Sequence, residues 1–330
     1  MKIIDRYGRL VRGVRISLTP SYRCNFRCVF CHMEGVLEHE DTIMNPEEIE
    51  KIVKILYKYG VDKVKLTGGE PMLRSDILEI VKRLGRLGLS DLAMTTNGTR
   101  LVSLAKKLRK AGLMRVNISL HTLDEKKYCW ITGLSQKSSK TRYEYTVDAI
   151  RAAVEAGLDP VKLNVVVMKG VNDDEIDRMI DFAGSFNGKV ILQLIELVEE
   201  GLTDRSFFQK YYYNLKDLED RFEKEALKII TRSLHKRKQY LLPNNIWIEI
   251  VRPLSGPHFC MSDDRIRITH DGRFKPCLMT DENLVDFLTP MRMGADDGEI
   301  EKLFIEAIKL REPYYKPENF KPREDVEILK

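Results

Sequence analysis

The stretch Cys24-Asn-Phe-Arg-Cys28-Val-Phe-Cys31 decides how the rest of the chain is interpreted. It follows a β-branched, strand-like run, Val14–Thr19, and it holds three of the chain's six cysteines. In a reducing compartment, cysteines this close together indicate metal or redox ligands rather than disulfides. The sequence therefore predicts a metal-binding loop directly after a first strand.

Composition bounds the class of protein. The chain has 330 residues, 43% of them hydrophobic and 32% charged, enough for a sizeable core. The net charge of +5 is small against 55 basic and 50 acidic residues, so basic residues are expected to act locally on an anionic ligand and not on nucleic acid. No apolar run approaches the roughly 20 residues that span a bilayer, and no apolar signal segment is visible. We therefore expect a cytoplasmic protein without a membrane partner.

Apolar, β-branched runs alternate with amphipathic helical stretches up to about residue 197. This alternation predicts parallel βα units, in an open sheet or in a full or partial barrel. Asn45-Pro46-Glu47-Glu48 has the residue order of a helix N-terminus. The predicted strands are Val14–Thr19, Lys63–Thr67, Leu92–Thr96, Arg115–His121, Lys162–Met168 and Val190–Leu197.

The pattern changes after the sixth predicted strand. Residues 203–240 are polar and are predicted to be helical, and two β-like segments follow, Ile246–Val251 and Arg265–Cys277. The second segment contains an Asp-Gly turn signal. A last helix is predicted at about 298–311, before a charged, Pro-rich tail that we expect to be loosely ordered.

Several predicted strands have one polar face. Side chains alternate between the two faces of a strand. The polar faces carry Arg15, Ser17 and Thr19; Lys65 and Thr67; Asn117, Ser119 and His121; and Lys162 and Asn164. Parallel strands that are covered on both sides are usually apolar throughout. A lysine considered alone is more often at a strand end with its amine in water, but the same pattern on four strands favours an interior that holds an anionic ligand.

Three kinds of site compete for the cysteine stretch. Cys28-Val-Phe-Cys31-His32 matches the c-type haem attachment pattern, but that pattern accompanies export and leaves Cys24 unused. A zinc site would lack the usual second ligand pair at a distance. Iron–sulfur clusters normally take four thiolates, so three in one loop indicate a [4Fe–4S] cluster with one iron left open.

The stretch Leu66-Thr67-Gly68-Gly69-Glu70-Pro71 ends the second predicted strand. Paired glycines there let a ligand reach backbone groups. Together with the spacing C-x3-C-x2-C, this stretch closely resembles the radical S-adenosylmethionine (SAM) enzymes. The resemblance implies an α/β fold: an incomplete (β/α)6 barrel, residues 1–235, with a C-terminal α+β extension, 236–330, that closes the barrel mouth.

The same resemblance assigns cofactors. A [4Fe–4S] cluster is expected on Cys24, Cys28 and Cys31, with its open iron chelating the amino and carboxylate groups of SAM. The implied SAM-binding residues are Phe30, Gly68, Gly69, Glu70 and Ser119.

Further motifs resemble one family of radical SAM enzymes, the GTP 3′,8-cyclases of molybdenum-cofactor biosynthesis. The resemblance covers about residues 3–280 and includes Thr95-Thr96-Asn97-Gly98, Ile131-Thr132-Gly133 and Met168-Lys169-Gly170. It implies removal of the ribose 3′ hydrogen of GTP and attack of C3′ on C8, giving (8S)-3′,8-cyclo-7,8-dihydroguanosine 5′-triphosphate. It also implies a low-potential electron donor and delivery of the product to cyclic pyranopterin monophosphate synthase, and it is compatible with a homodimer. The implied GTP-binding residues are Arg15, Lys65, Thr96, Lys162, Arg265 and Arg267.

The match breaks near the C-terminus. Where the family has a second three-cysteine site, C-x2-C-x13-C, whose cluster binds the guanine, this chain has Cys260, Asp263 and Cys277. A carboxylate suits sulfide-bridged iron less well than a thiolate does. Three outcomes stay open: Asp263 ligates a weaker cluster, the site holds something smaller or nothing, or the protein acts on another substrate.

Two alternative functions therefore remain. One is a radical SAM paralogue with a single cluster that acts on another nucleotide or a peptide. The other is a non-catalytic iron–sulfur or zinc binding module. Cys129 is interpreted as a core thiol and His121 as structural, and the sequence suggests no partner for His39, His235 or His258.

Overall fold

The computed structural model describes residues 1–36, 41–318 and 320–329, so His39 lies outside the described residues. The strands are β1 (Lys2–Ile4), β2 (Leu10–Val11), β3 (Gly13–Ser17), β4 (Lys63–Thr67), β5 (Asp91–Thr96), β6 (Arg115–Ser119), β7 (Val161–Val167), β8 (Val190–Glu196), β9 (Lys228–Thr231), β10 (Lys238–Leu241), β11 (Trp247–Val251), β12 (Arg265–Ile268), β13 (Arg273–Lys275), β14 (Val285–Asp286) and β15 (Glu327–Leu329). The α-helices are α1 (Pro46–Lys58), α2 (Ile77–Gly85), α3 (Leu101–Ala111), α4 (Glu125–Thr132), α5 (Gln136–Glu155), α6 (Ile176–Gly184), α7 (Arg205–Tyr211), α8 (Lys216–Glu225), α9 (Pro257–Met261), α10 (Leu288–Arg292) and α11 (Asp297–Lys309).

Parallel βα units form the centre of the molecule, as the sequence predicts. Strands β3 to β8 lie side by side in chain order, and each is parallel to the next. The predicted start of α1 is confirmed: the Asn45 side chain accepts from the Glu48 N–H, and the Glu48 carboxylate accepts from the Asn45 N–H, both at 2.8 Å. The apolar strand faces pack under the helices, and among the described residues no helix is long and apolar enough to cross a membrane.

The C-terminal extension adds a strand to each edge of this parallel sheet. β11 pairs in parallel with β8, and β12 pairs in parallel with β3. Among the described strands, the hydrogen-bonded sheet does not close on itself. The turn between β9 and β10 bridges the two edges, because the His235 N–H donates to the Ser262 carbonyl at 2.9 Å and the His235 ring stacks on Phe259 at 3.8 Å.

Two predictions for the C-terminal part are wrong. Residues 203–240 are not helical throughout: after α7 and α8, strands β9 and β10 form an antiparallel hairpin. All four residues of β9 are exposed, so this edge strand has no alternation of burial that its sequence could reveal. The tail is not loosely ordered throughout, because it ends in β15, which pairs with β1. Arg311, just after α11, has a fully buried side chain that pairs with Asp5. The predicted domain boundary near residue 235 stays a prediction.

Candidate active site

The polar strand faces open into a cavity of about 460 Å³. Residues from both the barrel and the extension line it. Every residue that the sequence singled out for iron, SAM or GTP is in this lining: Arg15, Cys24, Cys28, Phe30, Cys31, Lys65, Gly68, Gly69, Glu70, Thr96, Ser119, Lys162, Cys260, Asp263, Arg265, Arg267 and Cys277. The fold therefore brings residues that are far apart in the chain to one place.

The loop after β3 presents three free thiols, Cys24, Cys28 and Cys31, to the cavity. Backbone bonds hold the loop: the Cys31 N–H donates to the Cys28 carbonyl at 3.0 Å, and the Arg27 N–H donates to the Thr132 carbonyl at 2.8 Å. Burial raises the pKa of Cys24 to about 11 and also raises the pKa values of Cys28 and Cys31. The raised pKa values favour the protonated thiols, whereas a bound cation would favour the thiolates, because it stabilises their negative charge. Among the described residues, no group of three His, Cys, Asp or Glu side chains is placed to hold a single metal ion. The three thiols therefore fit an iron–sulfur cluster, in which each thiolate binds a different iron, rather than one ion.

The Gly68-Gly69 turn at the end of β4 lies against the cysteine loop. Gly68 has φ +131°, a conformation that other residues rarely adopt. A Cβ atom on Gly69 would lie 2.6 Å from the Pro20 carbonyl oxygen and 2.7 Å from that of Arg23. The glycines thus allow close approach of the strand end to the loop as well as access for a ligand.

Gly69→Ala is expected to reduce cluster loading. The added methyl group must push the Cys24 loop away, and overpacking of this kind costs about 1–3 kcal/mol. Iron per chain after anaerobic reconstitution measures the effect. Gly184→Ala is the matched control, because its Cβ would meet nothing closer than Asn244 Nδ2 at 3.5 Å. Equal iron in the two variants would contradict the expected steric effect.

Two predicted ligand residues, Glu70 and Thr96, contact each other. The buried Glu70 carboxylate accepts from the Thr96 hydroxyl at 2.8 Å, from the Asn97 N–H at 2.8 Å and from the Met72 N–H at 3.0 Å. By strand register, Thr95 shares a face with Lys65, and its buried hydroxyl has no partner among the described residues. Roles for Glu70 and Thr96 in ligand binding stay predictions, and Thr95 is a residue that the sequence argument missed.

The rings of Phe30 and His121 contact each other edge to face in the cavity. Their ring centroids are 4.6 Å apart, with the planes 67° from parallel. His121 Nδ1 accepts from the Val166 N–H at 3.0 Å, and burial lowers the pKa of His121 to about 3. The imidazole is therefore neutral, with its proton on Nε2, and it supports the aromatic ring predicted to contact adenine.

Arg15 and Arg267 stand directly opposite each other on β3 and β12. The buried Glu34 carboxylate lies between them. It accepts from Arg15 Nη2 at 2.6 Å, from Arg15 Nε at 3.1 Å and from Arg267 Nη1 at 2.9 Å. Burial alone would raise the pKa of Glu34, but Arg15, His32 and Arg267 hold it below its ordinary value. Glu34 therefore remains ionised.

Lys162 and Lys65 have different environments. Lys162 Nζ lies 2.5 Å from the buried carboxylate of Glu249, which also pairs with Arg232 at 3.0 Å and Arg237 at 2.8 Å. Lys65 has no carboxylate within ion-pair distance in the described part of the chain. Burial, followed by the charges of Arg115, Arg15 and Arg265, holds the pKa of Lys65 well below its ordinary value.

The second cysteine site contains a carboxylate that is already bound. Asp263 Oδ1 lies 3.0 Å from His235 Nε2 and 3.3 Å from Arg265 Nε, and Oδ2 lies 3.5 Å from Arg311 Nη2. Burial alone would raise the pKa of Asp263, but the His235 hydrogen bond and the charge of Arg265 hold it well below its ordinary value. Arg265, Arg311 and His235 already contact this carboxylate, so Asp263 does not fit the role of the missing thiolate. The sequence suggested no partner for His235, and the structure corrects this.

Comparison with protein families identifies the class of protein. The profile of the radical SAM superfamily matches residues 18–183, and the profile named Molybdenum Cofactor Synthesis C matches residues 190–317. The crystal structure of Streptococcus suis SuiB bound to SAM has the same fold, with a TM-score of 0.59 at 18% identity over 90% of this chain and 69% of that chain. Methylornithine synthase (PylB) gives a TM-score of 0.52 at 17% identity over 89% of this chain and 86% of that chain. The chain has the partial barrel of a radical SAM enzyme.

Relatives of nearly the same length identify the family within the radical SAM enzymes. A protein of Pyrococcus horikoshii named probable GTP 3′,8-cyclase is 48% identical over 95% of this chain and 98% of that protein. Proteins of the same name are 48% identical in Thermococcus kodakarensis, over 95% of this chain and 100% of that protein, and 40% identical in Methanocaldococcus jannaschii, over 94% and 99%. The chain therefore belongs to the GTP 3′,8-cyclase family of radical SAM enzymes.

Proposed function

We propose that this protein cyclises GTP to (8S)-3′,8-cyclo-7,8-dihydroguanosine 5′-triphosphate in molybdenum-cofactor biosynthesis. The relatives named GTP 3′,8-cyclase support this substrate. The observation that carries the proposal is the excess of cations in the cavity. Among its described lining residues, ten are basic and seven are acidic, and Lys65 has no carboxylate partner. A polyanion such as a triphosphate would complete this set of charges.

The cationic residues of the cavity are of types that bind phosphate groups. Lys65 offers a point charge, and Arg15, Arg265 and Arg267 offer planar guanidinium groups that bind phosphate through two N–H donors. In the described residues, Arg15 Nη1 and Arg267 Nη2 have no partner, and both arginines line the cavity. These N–H groups are therefore available to phosphate oxygens. Lys162 is already paired with Glu249, so it would contribute less than Lys65.

We assign SAM to the part of the lining formed by the cysteine loop and the end of β4. Cys24, Cys28 and Cys31 would hold the cluster, Phe30 would pack on the adenine, and the backbone at Gly68 and Gly69 would meet the methionine moiety. The Ser119 side chain is on the strand face that also carries Asn117. When bound, the cluster and SAM supply the radical chemistry, while the chain positions the reactants and excludes water.

We propose that the chain carries one cluster rather than two. The carboxylate of Asp263 pairs with His235 and Arg265, which leaves Cys260 and Cys277 as the only thiols of that site, and cubane clusters normally take more ligands. We further propose a low-potential electron donor as a partner and delivery of the product to cyclic pyranopterin monophosphate synthase. Six unpaired cysteines are in keeping with a cytoplasmic location, and the homodimer stays a prediction.

Lys65→Met is expected to weaken GTP binding about 30-fold or more, because loss of one partner of a buried charge pair costs about 2 kcal/mol or more. Since the pKa of Lys65 is lowered, the wild-type affinity should also fall as the pH rises through that lowered pKa and the amine loses its charge. Lys65→Arg stays charged and should show a flatter pH profile.

Isothermal titration with GTP, on anaerobic iron-loaded protein at a series of pH values, measures both effects. No GTP binding by the loaded wild type would reject the cyclase proposal. Unchanged affinity in Lys65→Met, with GTP bound, would reject only the role of Lys65.

A further inference from the structure

Glu34 is the one acidic side chain among the described residues that bridges two of the predicted triphosphate-binding arginines. Arg15 and Arg267 occupy paired positions on neighbouring strands, where like charges repel. Glu34 removes this conflict by accepting from both, at 2.6 Å from Arg15 and 2.9 Å from Arg267. The Thr67 hydroxyl also donates to it at 3.0 Å. The carboxylate thus fixes the direction of both guanidinium groups.

The position of Glu34 depends on a strained backbone. Met33 and Glu34 have φ values of +50° and +56°, in the left-handed region that residues other than glycine rarely adopt. Such a conformation persists only where the surroundings enforce it. A Cβ on the next residue, Gly35, would lie 2.0 Å from the Leu278 carbonyl oxygen. The segment is therefore pressed against the C-terminal extension on one side.

On the other side, the segment continues directly from the cysteine loop. Glu34 is three residues after Cys31. The intervening His32 accepts the Glu34 N–H on Nδ1 at 3.0 Å, and its carbonyl accepts the Gly35 N–H at 2.8 Å. Any displacement of the loop would therefore move the carboxylate that orients Arg15 and Arg267.

We propose that Glu34 couples occupancy of the cysteine loop to the affinity of the cavity for a triphosphate. With metal on the three thiols, the loop is fixed and Glu34 holds Arg15 and Arg267 in place for the anion. Without metal, the loop and the carboxylate lose their fixed position, and the arginine pair is no longer preorganised. Glu34 is a positioning residue in this scheme, which rests on the proposed function. Couplings between sites typically change affinity by about 5–150-fold.

The test uses inorganic tripolyphosphate, which has no guanine and so reports only on the anion end of the cavity. Its affinity is measured by anaerobic titration calorimetry for iron-loaded and iron-free protein, in the wild type and in Glu34→Gln. We expect the loaded wild type to bind about 10-fold tighter than the iron-free wild type. In Glu34→Gln, the loaded and iron-free forms should bind equally weakly.

Two further variants act as controls. Glu312→Gln removes an acidic side chain that also lines the cavity but is not bonded to either arginine, and it should keep the wild-type ratio of affinities. Glu34→Asp keeps the negative charge on a shorter side chain and should retain part of the wild-type ratio of affinities. It is the variant to compare if Glu34→Gln folds poorly.

An unchanged ratio in Glu34→Gln would overturn the coupling, and so would tighter binding by that variant, which would make Glu34 a competitor of the phosphate. GTP binding by the loaded wild type without any dependence on iron would overturn only the coupling. Absence of both GTP and tripolyphosphate binding would overturn the proposed function and the coupling together.

Discussion

Glu249→Gln is expected to lower the free energy of unfolding by about 3–5 kcal/mol, the cost of leaving buried charge uncompensated. The side chain of Glu249 is 0% exposed. It pairs with Lys162 at 2.5 Å, Arg232 at 3.0 Å and Arg237 at 2.8 Å. Burial alone would raise the pKa of Glu249, but Arg237, Lys162 and Arg232 hold it below its ordinary value. An amide of the same shape would leave three cations facing one another.

Anaerobic denaturant titration of iron-loaded protein measures this loss. Glu312→Gln is the matched control, since it removes a carboxylate whose pair with Lys316 has side-chain exposures of 47% and 55%. Exposed pairs contribute about 0–1 kcal/mol. A loss in Glu249→Gln no larger than in this control would show that the cluster around Glu249 does not depend on the carboxylate.

The strand pattern predicted which side chains line the cavity, because the face on which a strand side chain lies depends only on local periodicity. Alternation placed Arg15, Lys65 and Lys162 on inward faces, and the structure has all three in the cavity lining. The family resemblance implies Thr96, whereas by strand register it is Thr95 that shares the face of Lys65. Thr96 is the last residue of β5, and its hydroxyl donates to Glu70, a contact between residues 26 positions apart.

Two carboxylates that the sequence did not predict have partners distant in the chain. Glu34 contacts Arg267 across 233 positions, and Glu249 contacts Lys162 across 87. Both contacts depend on strands β11 and β12 joining opposite edges of the barrel sheet. Neither strand shows in its own sequence which edge it will join. These two carboxylates could therefore not be predicted without the fold, whereas Arg15 and Lys162, which they neutralise, were predicted from the strand pattern.

Asp263→Cys is expected to raise the iron content from about four to about eight atoms per chain, the difference of one [4Fe–4S] cluster. The wild-type protein should hold about four, because Asp263 is bound to His235, Arg265 and Arg311 and a thiolate suits cluster iron better than a carboxylate. Iron and acid-labile sulfide after anaerobic reconstitution give the count. Electron paramagnetic resonance of the reduced protein gives an independent readout.

Two variants separate the loss of ion pairs from the gain of a ligand. Asp263→Ala loses the same contacts with His235 and Arg265 as Asp263→Cys but adds no thiol, so it should stay at about four iron atoms. The Cys260→Ser/Cys277→Ser double variant should also stay at that value. A wild type with about eight atoms that drops to about four both in the double variant and in Asp263→Ala would show that Asp263 ligates iron despite its other contacts. If Asp263→Cys stays at four, the carboxylate alone does not explain the absence of a second cluster. Its contacts with His235 and Arg265 would then serve chiefly to join the hairpin turn to β12, where the hydrogen-bonded sheet of the described strands leaves the barrel open.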